Sequence, residues 1–469
     1  MTRIIGMQDY EGFAGFHGFA QATESDVEAL NKALAAGYQA PRADGGGALR
    51  VESLEQTMRI LTFNQQHIQF WRDFPKLPAY STVEEYNVQT SYGMDNGGFT
   101  REGELPQVQD AGYQRKSALV KFLTTQREVT HVQTLVKPAH GNQIALETTN
   151  GAIWILQQME QALFRGNSDI IPESFDGVYT QIVGDPDALA TNVLDLRGGV
   201  LTEDRIEEAS NLVIEGFGVP SDLYAAPRAL SDMVKTMYPR ERVGLPAPVN
   251  GRIGMAVSEV QTQAGVVRLK ANQFLRAGGI GKTTAPVSQT APRAPNAPTI
   301  AVADPGATAG SLFTAADVGT FRYRVTAVNR FGESAASASS AQAIAAAGES
   351  VNVTITDGGG GDTATGYRVY RSAVGGAAGT EKLIGEIKRA ASGTTLYADL
   401  NADLPATSRA FMMQMNLQAV SFRQLAPMLK IPLATIALSI RWAQVLYGMP
   451  IVYQPRKHVI FKNCYDRVA

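Results

Sequence analysis

The chain has 469 residues, too long for one ordinary core, so two to four packed units are expected. Its 42 basic and 44 acidic residues leave a formal net charge of -2, which excludes the strong positive field of a dedicated nucleic-acid binder. The lone cysteine, Cys464, excludes an intrachain disulfide and two-thiol metal motifs, and the histidines are scattered, so a reducing cytoplasm is expected and no cofactor or metal is. Residues 1–20 mix charged residues and glycine into what would be an apolar signal core. The most apolar late stretch, Leu425 to Ile440, is broken by Pro427, Lys430 and Pro432, so a soluble protein without membrane contact is expected.

Residues 1–50 are rich in Gly and Ala and end in Pro41 and the run Gly45 to Gly47, which reads as an arm. Residues 51–85 read as a helix with Leu54, Met58 and Leu61 at helical spacing, passing through Phe70, Trp71 and Phe74 into a proline-stiffened connection. Residues 86–121 are Gly-punctuated and carry mixed charges, with little apolar content to bury; a mobile loop or a two-stranded arm completed by a neighbour fits this composition. Its charged residues Arg101, Glu102, Glu104, Asp110, Arg115 and Lys116 are candidate subunit contacts.

Residues 122–176 contain a strand-like stretch and a long helix over 140–165, with Ile144, Trp154, Ile155, Met159 and Leu163 as its expected core residues. Arg165 and Gly166 supply a terminal cation and a left-handed stop. Within 177–285, Thr202 opens a helix carrying Ile206, Ala209, Val213 and Phe217 on one face, Pro227 starts another, and Val260 and Val266 flank a hairpin turn. Strands and helices mix without a βαβ rhythm, so the class is α+β.

At Gly278 the composition shifts. A linker containing Pro286, Pro292, Pro295 and Pro298 opens a Gly-, Ala-, Ser- and Thr-rich region, 286–408, with strands expected at Phe321–Asn329, Val351–Thr356, Gly366–Arg371, Leu383–Ile387 and Thr394–Leu400. This is an all-β module entering a loop of another domain, because residues 409–469 return to core character with Met412, Met413, Met415, Phe422, Leu425 and the apolar run beyond.

Three motifs fall short of the chemistry they suggest. Gly278 to Thr284 resembles a phosphate-binding loop, yet the first required glycine is Arg276 and a Pro-rich linker follows where a helix should begin. Asp399-Leu400-Asn401-Ala402-Asp403 imitates the start of a calcium loop, but Leu404 and Ala410 stand where glycine and glutamate are needed, so a turn is expected. Asn352-Val353-Thr354 matches a glycosylation acceptor inside an expected strand.

Leu61-Thr62-Phe63 with His67, Phe70-Trp71 and Pro78 to Asn87, then Leu163-Phe164-Arg165-Gly166-Asn167 with Phe175-Asp176-Gly177, then Phe422 to Met428 and Tyr453 to His458, occur in the order found in one family. In these stretches the chain resembles the tailed-bacteriophage major capsid proteins with the Hong Kong 97 fold. The resemblance implies an N-terminal arm, an extended loop at 86–121 lying over a neighbour, a peripheral domain whose spine helix is 140–165, and an axial domain over 177–285 with part of 409–447. It implies no enzymatic activity. Implied partners are copies of the chain in hexamers and pentamers, scaffolding, portal and candidate decoration proteins, and packaged DNA met without sequence-specific binding; assembly in the host cytoplasm would yield a virion head. The inserted module resembles fibronectin type III or immunoglobulin-like domains, with Tyr323 to Ser334 looking like a late strand and turn and Gly366 to Arg371 like a central strand. Their order is reversed, which implies a circular permutation or two half-domains. The competing function is an adhesive protein whose sandwich binds glycan or protein.

Overall fold

The computed structural model describes residues 65–93, 98–136, 141–186, 188, 190–241, 257–276, 286–359, 362–435 and 437–466. The expected arm, most of the 51–85 helix and the Gly278–Thr284 loop therefore lie outside the described residues.

In chain order, α1 (Phe70–Asp73) and β1 (Lys76–Pro78) lead to β2 (Val83–Ser91), β3 (Gly112–Leu119), β4 (Lys121–Thr130), α2 (His131–Leu135) and α3 (Gln143–Arg165). Then come α4 (Val178–Gly184), β5 (Val193–Asp195), α5 (Glu203–Glu215), β6 (Asp222–Ala225), α6 (Pro227–Glu241), β7 (Glu259–Thr262) and β8 (Gly265–Ala271). The β-rich region holds β9 (Thr299–Ala303), β10 (Gly319–Asn329), β11 (Gly332–Glu333), β12 (Ser340–Ile344), β13 (Val351–Thr356), β14 (Gly366–Arg371), β15 (Lys382–Lys388) and β16 (Thr394–Asp399). β17 (Thr407–Met413), β18 (Val420–Pro432), β19 (Ser439–Val452) and β20 (Val459–Tyr465) close the chain. Among the described residues no helix is long and apolar enough to cross a membrane.

The helix α3 starts where Asn142 turns its side-chain oxygen onto the backbone N–H groups of Ile144 and Ala145, satisfying two donors that the first turn leaves open. At 23 residues it is roughly 35 Å long. Ile155, Met159 and Leu163 are buried along one stripe, packed with Leu446 and Met449 of β19. Each such burial is worth roughly 2 kcal/mol. Ile144 is only half-buried, and Trp154 is 38% exposed, contrary to its expected core role. Trp154 precedes Ile155 by one residue, about 100° around the helix, which turns it off the stripe. Glu160 and Phe164 are buried instead. Gly166 also departs from expectation: its φ is -54°, not left-handed, and glycine is required because a Cβ would strike the carbonyl oxygens of Phe175 and Ala162.

A four-stranded sheet runs β1-β18-β19-β4, and a six-stranded sheet runs β5-β20-β17-β6-β8-β7. The second sheet lies between two cores. On β17, Ala410 and Met412 face the core made by Ile206, Ala209 and Val213 of α5, while Phe411 and Met413 face the core shared with α3. Burial on both faces explains why the last four residues of that strand, Ala410 to Met413, are continuously apolar rather than alternating. β6 and β8 run parallel side by side with α6 and β7 between them in the chain, so a crossover exists there although no βαβ rhythm is expected from the sequence.

Residues 299–399 form two further sheets, β16-β13-β9 and β11-β10-β14-β15, with β12 also paired to β10. Their inward side chains, Tyr323, Val325, Val353, Ile355, Tyr367 and Val369 among them, make one core. Arg371 is sealed inside, donating to Asp399 at 2.6 Å and to Asn401 at 2.7 Å. The calcium-like loop thus grips a guanidinium, which supplies the positive charge that Asp399 needs when buried.

Candidate assembly interface

β2 and β3 pair antiparallel from Val83↔Leu119 to Ser91↔Gly112, making a two-stranded arm. Its base is pinned to the body. Val120 donates its N–H to Thr82 at 2.9 Å, Tyr86 meets Tyr453 edge-on at 5.0 Å, and the Lys116 ammonium sits 2.6 Å from Asp185. Both partners of that ion pair are largely buried, at 13% and 15% side-chain exposure, so Lys116 is a self-contact rather than a residue free for a neighbour. Its position on the inward face of the hairpin dictates this. Arg115 reaches across the hairpin to Glu85 at 3.3 Å, an exposed pair of little energetic consequence.

Beyond Ser91 and Gly112 the chain leaves the body's cover. Arg101 and Glu104 close a small turn, with the Glu104 N–H on the Arg101 carbonyl at 3.1 Å, and Glu102 and Asp110 are exposed. Sequence reasoning missed the apolar members: Tyr92, Phe99, Leu105, Val108 and Tyr113 all stand in solvent. They were legible as residue types, but their irregular spacing in a Gly-rich run gives no periodic signal. Exposed apolar surface of this kind marks a contact site.

Beside the arm's anchor, Glu160 of α3 ties α1 to the segment that follows β8. Its carboxylate, wholly buried, accepts from the N–H groups of Phe70 at 2.9 Å and Trp71 at 2.7 Å and from Asn272 at 2.7 Å. Burial pushes its pKa above the usual carboxylate range, and those three donors pull it part of the way back. Lys270 lies 2.7 Å from Asp73 of α1 and 2.8 Å from Asp222 of β6, joining α1 to the six-stranded sheet.

A second apolar surface occupies the far end of the four-stranded sheet. There His131 donates its N–H to Leu438, and Val132, Leu135, Leu433 and Leu438 are exposed, Leu438 by 85%. The apolar run after Leu425 was expected in a core; beyond Leu425 it forms the outer part of β18 and the turn into β19, where no described element covers it.

The family described as SU10 major capsid protein matches residues 16–307 of this chain. The chain belongs to that family. It is a major capsid protein and forms the phage capsid shell. The major capsid proteins of Staphylococcus phage S25-3 and Staphylococcus phage K are each 25% identical to it, over 431 and 437 residues, covering 89% of this chain and 90% of each relative. Among solved structures, the capsid of a native GTA particle aligns at 8% identity and TM-score 0.45, covering 91% of this chain and 99% of that one. A solved chain of Mycobacterium phage Adephagia aligns at 8% identity and TM-score 0.44, covering 92% of this chain and 100% of that one.

In this capsid protein the β-rich region is held to the rest of the described chain at several points. Arg197 donates to the carbonyls of Asn401 at 2.6 Å and Leu312 at 3.0 Å, and Asn463 donates to Ala402 at 2.9 Å. Asp403 lies 3.2 Å from Lys462 and 3.6 Å from Arg409. Ile170, buried, fills the space over Gly366 of β14, where any Cβ would collide with it.

Proposed function

We propose that the chain folds as a Hong Kong 97-type subunit and that identical copies, as hexamers and pentamers, close an icosahedral head around double-stranded DNA. In this reading residues 1–50 are the N-terminal arm, 51–85 the connection, 86–121 the extended loop, 122–176 the peripheral domain with α3 as spine helix, and 177–285 the axial domain, to which 409–469 contribute together with the peripheral domain. The hairpin of each copy lies across its neighbour. The observation that carries this is the contrast along the hairpin: a base fastened by Tyr86 and Lys116, and a tip whose Tyr92, Phe99, Leu105 and Val108 stand exposed, with nothing among the described residues to bury against. Many modest contacts of that kind, repeated by symmetry, suffice to hold a closed shell.

Residues 286–408 are read as one inserted immunoglobulin- or fibronectin-like sandwich in permuted strand order. Support comes from the hairpin-like pair β10 and β12 lying beside β14, which is followed in turn by β15. The net charge of -2 fits an inner face that tolerates DNA without reading it. Scaffolding, portal and decoration proteins are the other expected partners, and the single buried thiol, Cys464, suits assembly in the host cytoplasm. Deleting Gly97 to Gln109 is expected to abolish particles while the subunit keeps its melting transition; particles of ordinary yield from that deletion would refute the arm's role. Excising 290–404 through a short linker should leave a folded subunit if the sandwich is an insertion, and wholesale misfolding would show that the two parts fold as one.

A further inference from the structure

The helix α5 ends in a turn that carries the wrong residue for its backbone. The Gly218 N–H bonds to the Val213 carbonyl at 2.8 Å and the Phe217 N–H to the Ile214 carbonyl at 2.8 Å, the paired bonds of a helix stop that reverses through a left-handed residue. That residue is Phe217, with φ +60°. Glycine is the usual occupant because a side chain is strained there. Glycine is available on both sides, at 216 and 218, but packing demands it in both places: a Cβ on Gly216 would strike the Arg456 carbonyl, and one on Gly218 would come within 2.8 Å of the Val213 side chain. Phe217 thus occupies the one position of the three where space is free and conformation is not. The strain gains no packing among the described residues, since the ring is 87% exposed and Ile214 and Val219 beside it are exposed too. Sequence periodicity places Phe217 on the buried face with Ile206, Ala209 and Val213; the left-handed turn swings it out.

We infer that Phe217 is a knob that seats in a second copy of this chain. Strained backbone held without local compensation points to a function outside the fold, and an aromatic side chain anchored in a partner's pocket is the usual energetic centre of an interface. A second copy is the fitting occupant because the protein's function is to pack against itself, and because the charges along α5 suit a head-to-tail contact. Its first turns carry four acids, Glu203, Asp204, Glu207 and Glu208, against one cation, Arg205, which pairs with Glu208 at 2.6 Å, whereas two cations, Arg456 and Lys457, and one acid, Glu215, border the turn at its other end. A heterologous contact sets the acidic end of one copy near the basic rim of the next.

This rests on the shell reading, and the test separates the two. Full-length chains carrying Phe217→Gly and Phe217→Ala are compared with the unaltered chain for subunit melting and for particle yield by sedimentation. Phe217→Gly should raise the melting temperature of the unassembled subunit, yet raise the concentration needed for particles about ten-fold or more. Phe217→Ala should impair particles without the thermal gain, because it keeps the left-handed strain. Benzoylphenylalanine at 217, in particles built from mixed light and nitrogen-15 chains, should crosslink light peptides to heavy ones. Particles formed as readily by Phe217→Gly as by the unaltered chain, or crosslinks confined to one isotopic label, would overturn the inference while leaving the shell reading intact. Failure of the unaltered chain to form particles would remove that reading, and the inference with it.

Discussion

Acid should weaken the subunit through one side chain. His458 is wholly buried between β19 and β20, its Nδ1 accepts the Gln414 N–H at 3.3 Å, and burial together with the neighbouring Lys457 charge lowers its pKa to about 3. The folded imidazole is therefore held neutral. An unfolded imidazole titrates near 6.5, so as pH falls below that value the unfolded chain binds the proton first and stability drains away until about pH 3. Between pH 8 and pH 5 this one group should remove about 2 kcal/mol, and by pH 4 about 3 kcal/mol. His458→Asn keeps an acceptor near the Gln414 N–H and cannot titrate in this range. Urea unfolding of unassembled subunits across pH 8 to 4 should give a steeper acid loss for the native chain than for the variant, by that difference. Parallel curves would show that His458 is protonated, or solvated, in the folded state, contrary to the packing described.

Two other side chains carry distinct expectations. Glu160→Ala leaves the N–H groups of Phe70 and Trp71 and the Asn272 amide without their acceptor, and calorimetry should record a loss of about 3 kcal/mol; a loss under about 1 kcal/mol would mean that the joint relaxes onto other partners. Arg371→Met strands the Asp399 carboxylate in the β-rich core and should cost about 3 to 5 kcal/mol, whereas adding calcium or a chelator should leave the native melting temperature unchanged, because the guanidinium fills the loop. A calcium-dependent shift in the native chain would contradict that assignment.

Much of this architecture could be read from residue order because local signals and burial agree. Val351–Thr356 and Gly366–Arg371 stand out as strands through period-two alternation between Gly-rich turns, and they form with those bounds. The helix ending at Arg165 announces itself by the spacing of Ile155, Met159 and Leu163. β9 was missed: Thr299–Ala303 is five residues between Pro298 and Pro305, too short to show a period against a proline-rich background. The larger misreadings share one cause. Phe217, Leu433 and Leu438 look like core in the sequence and are exposed in the subunit. An apolar pattern says that a surface is to be kept from water, and it is silent on whether the same chain or the next one does the covering. Lys116 is the mirror case: a charge in a polar run reads as a surface contact, but its alternation on β3 turns it inward onto Asp185.

The most direct measurement is a density map of assembled particles at a resolution that shows side chains. The account expects residues 98–110 of each copy lying on an adjacent subunit, with Phe99, Leu105 and Val108 shielded by that neighbour. Hairpins folded against their own subunit, or tips left in solvent in the finished shell, would contradict it.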